Sequence, residues 1–359
     1  MKYLGCNYMT HGLSFEYNDL YDCCMMHHDN LGMPVLINNY KGEDIDWEKI
    51  FEIKRERIER QKIATIKECQ GCCYLHEKED TDEKYISEIA FQQIKLCNAK
   101  CRYCGDDFRI HKKYYDVYPM MKDLVEKGYF RATDTGLVIF QGGEPTIMEH
   151  FDDLIDLFNK QNANIKVNTS AIRFSRVLSD GMETGKILTC ISLDSGCRET
   201  YNKVKYVDKF DVVIESIKKY SDSANKSQGG SRLVIKYLFV PGYNDTIEEI
   251  DLFFEKMKEL NIKNVVFDVE AGYAQQNHQK DVSPHIHYLI DYGKKRAKEE
   301  NMNFEIVSFA FYVEQERQIP YSEELISDKN LLIKTVNKLR EENKHKNREY
   351  AVPCGYFVD

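Results

Sequence analysis

The chain has no run of eighteen apolar residues, and its first residues carry no apolar stretch of the kind that heads an exported protein. The expectation is a cytoplasmic protein with no membrane partner. It also lacks an excess of positive charge: 50 Lys and Arg against 59 Asp and Glu leave a net charge of -9. Contact with nucleic-acid phosphates normally brings a basic surface, so nucleic acid is not an expected partner. Internal repeats and low-complexity blocks are missing too. Cysteine is not: there are 12 in 359 residues. In a chain that stays in a reducing compartment, so many thiols speak for metal rather than disulfides. The length leaves room for one barrel of about 200 residues and an extra module.

Three of the cysteines, Cys97, Cys101 and Cys104, are spaced C-x3-C-x2-C. A [4Fe-4S] cube has four irons and usually takes four thiolates, so three close thiols leave one iron open to a reacting ligand. Zinc sites usually show two C-x2-C pairs or Cys/His pairs, which a lone trio fits poorly. Ahead of the trio, residues 85–96 are alternating and β-branched, as in a strand. Some forty residues later (about 40 by the same reading), 136–140 reads as a buried strand that runs into Gln141-Gly142-Gly143-Glu144-Pro145-Thr146. Paired glycines let a ligand approach the backbone closely. Together, the trio and the Gly-Gly-Glu-Pro stretch resemble the radical S-adenosylmethionine (radical SAM) enzymes.

Further strands are expected at 165–170, 188–194, 233–240 and 264–270, with amphipathic helical patterns such as 212–220 and 246–260 between them. This alternation predicts an α/β fold with parallel strands. The resemblance implies a partial (β/α)6 radical SAM barrel at 81–305, preceded by a small Cys-rich module at 1–80 and followed by a helical extension at 306–359. Residues 221–231 read as a polar Gly/Ser-rich loop, and 320–346 as one charged helix.

What the resemblance implies for chemistry follows residue by residue. Cys97, Cys101 and Cys104 would hold the cluster, whose open iron takes the amino and carboxylate groups of SAM. Reduction then yields methionine and a 5'-deoxyadenosyl radical that takes a hydrogen atom from substrate. Tyr103 would line the adenine side, as would the turn that begins at Val240. Gly142, Gly143 and Glu144 would meet the SAM amine. Ser170, Ser192 and Asp194 are candidates for ribose or carboxylate contacts, and Lys236 for the carboxylate or for the solvent face of a strand. The electron would come from a donor such as flavodoxin or ferredoxin.

Six more cysteines crowd into the first 75 residues: Cys6, Cys23-Cys24, Cys69 and Cys72-Cys73, with a helix expected at 46–68 between the groups. Its apolar positions, Ile50, Ile53, Ile58, Ile63 and Ile66, recur irregularly. The set looks like the auxiliary-cluster half of a SPASM extension, although those usually follow the barrel. The expected ligands of a second [4Fe-4S] cluster are Cys6, Cys23, Cys69 and Cys72, with Cys24 and Cys73 as alternates and structural zinc as the competing metal. Cys197, at a strand end, is either a hydrogen-atom donor or an ordinary first-turn residue. Cys190 reads as a small buried hydrophobe, Cys354 as a tail thiol, and His27-His28 as loop histidines. His285-x-His287 reads as the opening of a helix after Pro284. The substrate is expected to be a peptide, a protein or a small molecule such as a sugar. Competing functions are a non-catalytic iron-sulfur carrier or binding module, and an activase of a glycyl-radical enzyme.

Overall fold

The structure, a computed structural model, describes residues 2–23, 35–70, 72, 74–92, 96–104, 114–270, 284–315, 317 and 319–343. It divides into two compact units, residues 1–96 with 110–167 and residues 97–109 with 168–359. Cys24, Cys73, His27, His28 and Cys354 lie outside the described residues.

The first unit contains β1 (Lys2–Gly5), α1 (Asn7–His11), β2 (Gly12–Glu16), β3 (Asp19–Tyr21), β4 (Val35–Ile37), α2 (Trp47–Ile63), β5 (His76–Glu79), β6 (Glu88–Gln92), α3 (Tyr118–Glu126), β7 (Val138–Phe140), α4 (Phe151–Lys160) and most of β8 (Ile165–Thr169). Strands run in the order β8-β7-β6-β2-β3-β4, the first four parallel and the last two joined antiparallel. β1 and β5 form a separate antiparallel pair. The expected boundary at residue 80 falls inside this unit, in which Gly12–Glu16 pairs in parallel with Glu88–Gln92. α4 shows why the helices cover the sheet. Phe151, Leu154, Ile155 and Phe158 recur at helical spacing and are buried. Phe91 of β6 stacks on Phe140 at 4.6 Å and on Phe15 of β2 at 5.3 Å.

α2 departs from its pattern in an instructive way. Its buried face is Trp47, Ile50, Phe51, Lys54, Arg57, Ile58 and Gln61, whereas Ile63 is 87% exposed. The isoleucines recur irregularly because three polar residues complete the stripe. The helix ends at Ile63 rather than near 68, and Gln61 Oε1 accepts the Ile66 N–H at 2.9 Å beyond its end.

The second unit adds α5 (Arg176–Glu183), β9 (Ile187–Ser192), α6 (Arg198–Lys205), α7 (Phe210–Ala224), β10 (Leu233–Phe239), α8 (Ile247–Glu259), β11 (Asn264–Val269), α9 (Pro284–Glu299), β12 (Asn303–Ile306), α10 (Ser308–Gln315), α11 (Glu323–Ser327) and α12 (Lys329–Glu342). β9, β10, β11 and β12 are parallel neighbours in that order. The six expected strands are therefore present as β6 to β11, and the fold is α/β with mostly parallel strands. Two local expectations are corrected. α7 runs to Ala224, into the expected loop, because Ser221 is buried and donates to the Leu260 carbonyl at 2.7 Å. The C-terminal helix is broken in two at Asp328, whose side chain caps α12 by accepting the Leu331 N–H. No helix among the described residues is long and apolar enough to cross a membrane.

Candidate metal centres

The cysteine trio sits on a loop of the second unit, and all three thiols are half-buried. The loop is docked by its backbone onto the end of α6. The N–H groups of Lys100 and Arg102 donate to the carbonyls of Lys205 and Val204 at 3.1 and 3.0 Å, and Arg102 Nε donates to the Lys203 carbonyl at 2.6 Å. α6 ends there because Tyr206 adopts a left-handed conformation, φ 53°. Such docking fixes the spacing of three thiols that a short loop alone would leave free.

A triad of half-buried Tyr103 with buried Asp194 and Lys205 completes the attachment. Tyr103 Oη donates to Asp194 Oδ2 at 2.6 Å, and Lys205 Nζ donates to both, at 2.7 and 2.5 Å. The second oxygen of Asp194 accepts the Leu238 N–H at 2.9 Å. Asp194 itself takes φ 63°, a left-handed turn after β9. Burial would depress the Lys205 ammonium, yet the negative charges of Asp194 and Cys101 hold it above its ordinary value. Burial, then Asp194 and Cys101, push the Tyr103 phenol well up. Asp194, expected near ribose or carboxylate, thus has both oxygens engaged inside the protein and ties the cysteine loop to the strand ends.

The other expected SAM residues are positioned by alternation. β8, β9 and the first half of β10 bury every second residue and leave the intervening ones half-buried, while the last three residues of β10 are all buried. Ser192 and Lys236, both half-buried, are register partners on neighbouring parallel strands and share one face. Cys190 lies on that face and is half-buried rather than fully enclosed. Ser170 Oγ, at the end of β8, donates to Asn98 Oδ1 in the cysteine loop at 3.1 Å. Tyr103 packs with Val204, Leu238, Val240 and Tyr243. The turn after β10 is set by Asn244, which accepts the Val240 N–H at 2.7 Å and donates to the carbonyls of Leu238 and Asp194.

In the first unit, Gly142 is exposed with φ 98°, and Glu144 is buried. The Glu144 N–H donates to the carbonyl of Leu96, the residue just before Cys97, at 2.9 Å. Its Oε1 accepts from Thr146 N and Oγ1 at 3.2 and 2.6 Å, capping a short turn at 145–147.

The N-terminal thiols also meet. Cys6, Cys23, Cys69 and Cys72 line one cavity, with Tyr8, Met9, Asp22, Arg57, Glu68, Tyr74 and Leu75. Cys6 caps α1, its Sγ accepting the Met9 N–H at 3.4 Å. Arg57 Nη2 donates to Cys69 Sγ at 3.6 Å. Burial pushes the Cys69 thiol up to about 11 and raises Cys6 as well. Among the described residues, no three His, Cys, Asp or Glu side chains gather about a point for a single ion. An all-thiolate zinc site needs its sulfurs about 2.3 Å from one metal; a cube spreads its ligands over four irons.

Cys197 occupies the N-cap position of α6 without a capping side-chain hydrogen bond. Ser195 Oγ lies 3.8 Å from its sulfur and 3.5 Å from Glu249 Oε2. The close approach is built on Gly196, where a Cβ would fall 2.1 Å from the Leu252 backbone. His285 and His287 do open α9, but both are buried, paired with Asp245 at 2.9 Å and with Glu314 at 2.5 Å. Sequence reasoning missed Lys205, Asn244 and Arg57. The first and last are charged helix residues that read as solvated, and Asn244 reads as an ordinary turn residue.

Residues 93–255 match the model of the Radical SAM superfamily. GTP 3',8-cyclase of Photorhabdus laumondii is 24% identical over 152 residues, 42% of this chain and 45% of that protein. 7-Carboxy-7-deazaguanine synthase of Neisseria meningitidis is 26% identical over 124 residues, 34% of this chain and 55% of the relative. The chain thus spans about half the length of these curated relatives. The crystal structure of Streptococcus suis SuiB bound to precursor peptide SuiA has a similar fold, with TM-score 0.51 and 17% identity over 80% of this chain and 62% of that one.

Proposed function

We propose that the protein is an enzyme that reductively cleaves S-adenosylmethionine at a [4Fe-4S] cluster held by Cys97, Cys101 and Cys104, and that the radical so formed abstracts a hydrogen atom from a peptide or small-molecule substrate. The observation that carries this reading is the docked cysteine loop, with Asn98 bonded to Ser170 and Tyr103 packed on Val240, in a segment that matches the Radical SAM superfamily model. Three half-buried thiols are a donor set that fits an iron-sulfur cube with one iron left open. Bound there, the cluster supplies the electron that splits SAM into methionine and a 5'-deoxyadenosyl radical.

The chain's own residues do the rest. Gly142 and Gly143, which carry no side chain, would let the SAM amine approach the backbone, with Glu144 beside them. Ser170, Ser192 and Lys236 supply polar groups for ribose and carboxylate, and Val240 with Tyr103 bounds the adenine. Lys205 and Asp194 keep the loop in place. An external one-electron donor such as flavodoxin or ferredoxin is required. Cys6, Cys23, Cys69 and Cys72 would hold a second [4Fe-4S] cluster, which would supply an acceptor for the electron left after hydrogen abstraction. Support for the substrate class is twofold: the similar fold from S. suis is seen with a precursor peptide, and a curated relative is named for GTP.

Anaerobic protein reconstituted with iron and sulfide, then given SAM and dithionite, should form 5'-deoxyadenosine detectable by mass spectrometry. The Cys97→Ala/Cys101→Ala/Cys104→Ala protein should form none. Wild type that holds its iron, binds no SAM and forms no product would sink the reading and favour an iron-sulfur carrier.

A further inference from the structure

The N-terminal cavity contains a charged group that packing alone does not require. Arg57, 5% exposed, lines the cavity from α2, and it is paired through Nη1 with Asp22 Oδ1, 1% exposed. Its Nη2 donates to Cys69 Sγ at 3.6 Å. Its Nε, and Oδ2 of Asp22, have no partner among the described residues although both are buried. Burying a guanidinium and a carboxylate with unmet hydrogen-bonding atoms is costly, and such a pair usually persists where something else answers it. Both residues line the cavity that holds Cys6, Cys23, Cys69 and Cys72. Lys54, 2% exposed, adds a second cation nearby, donating to the carbonyls of Tyr8 and Met9 at 3.0 and 3.3 Å. Half-buried Glu68 also has a buried side-chain oxygen with no partner among the described residues.

We propose that Arg57, pinned by Asp22, is a positioning residue that donates to the Cys69 sulfur of the second cluster and raises its reduction potential, fitting that cluster to accept an electron. The inference rests on the two-cluster reading above. A guanidinium stays charged at every relevant pH and presents its donors in a rigid fork. One arm can therefore be spent on Asp22 while another faces sulfur. Hydrogen bonds to cluster sulfurs and nearby charge are levers on reduction potential. A fixed positive charge favours the more negative, reduced form. Removing it makes reduction harder.

The test uses the full chain carrying Cys97→Ala/Cys101→Ala/Cys104→Ala, in which only the N-terminal site binds a cluster. Reductive titration followed by electron paramagnetic resonance gives its midpoint, and metal analysis gives its content. Adding Arg57→Gln should leave iron bound and shift the midpoint to lower potential. Arg57→Lys, which keeps the charge without the fork, should fall between Arg57→Gln and the parent. Equal midpoints in all three, with iron intact, would overturn the role of Arg57. Loss of iron from both variants would overturn it as well, making Arg57 a structural residue only. A parent that takes up no iron, or takes zinc, would instead remove the second cluster itself.

Discussion

Each unit of this chain buries an aspartate against a cation beside a group of cysteines, and the two pairs are completed differently. Asp194 and Lys205 close on themselves: Tyr103, the Leu238 N–H and each other satisfy the aspartate. Asp22 and Arg57 do not, since each keeps a buried atom without a partner among the described residues. The first pair reads as scaffolding, finished before any cofactor arrives. The second reads as part of a site whose last partner is the ligand. The cysteines follow the same division. The trio spans eight residues of one loop (97–104), while the N-terminal four are gathered from position 6 to position 72 by a helix and its polar face.

The sharpest way to break this comparison is to remove one group of thiols. Cys6→Ala/Cys69→Ala should cost the reconstituted protein one whole cluster, from about eight irons per chain to about four. Formation of 5'-deoxyadenosine from SAM without substrate should survive. Iron content unchanged by the double substitution would mean that the four thiols do not share a cluster. Abolished SAM cleavage in a protein that keeps four irons would mean that the two groups are not independent.

Lys205→Met addresses the closed pair. It leaves the Asp194 carboxylate buried without its cation, which typically costs about 3–5 kcal/mol. Urea denaturation of the protein free of iron should register that loss. Lys205→Met/Asp194→Asn should recover part of it by removing the stranded charge. If the single variant is as stable as wild type, the triad is not what fastens the loop, and the docking of Lys100 and Arg102 onto α6 must suffice.

The two regions also differ in how legible they were. C-x3-C-x2-C and Gly-Gly-Glu-Pro are local patterns, and the six strands β6 to β11 show themselves by β-branched runs, so chemistry and architecture could be read together. The N-terminal thiols could be grouped only through a resemblance, with Cys24 and Cys73 left as alternates; that Cys6, Cys23, Cys69 and Cys72 line one cavity depends on long-range packing. Lys54 and Arg57 were invisible for a physical reason. A charged residue within a helix is normally solvated, and nothing local announces that these two replace isoleucines on the buried stripe. Lys205 hid in the same way at the end of α6, and Asp194 looked like a ligand because its partners, Tyr103 and Lys205, are 91 and 11 residues away.

The smallest expected effect concerns acid. His11 of the first unit stacks on Tyr85 at 3.9 Å and shares a 3.1 Å hydrogen bond with the Tyr85 carbonyl; burial pulls its pKa down to about 4. An unfolded histidine titrates near 6.5, so between about 4 and 6.5 the unfolded chain binds the extra proton. Stability owed to neutral His11 is therefore complete above about 6.5 and is lost as the pH falls toward 4. Asp245 of the second unit behaves oppositely. Burial would raise its carboxyl, but the His285 bond and the Arg340 charge hold it below its ordinary value. Its contribution persists down to about 4 and is lost only below that. Between pH 7 and 4.5, amide exchange should thus quicken in the first unit around α1 and β6 before it quickens around β10 and α9. His11→Phe should flatten that pH dependence in the first unit and leave the second unchanged. Equal acceleration in both units, or a slope that survives His11→Phe, would show that the difference between the two regions does not extend to their protons.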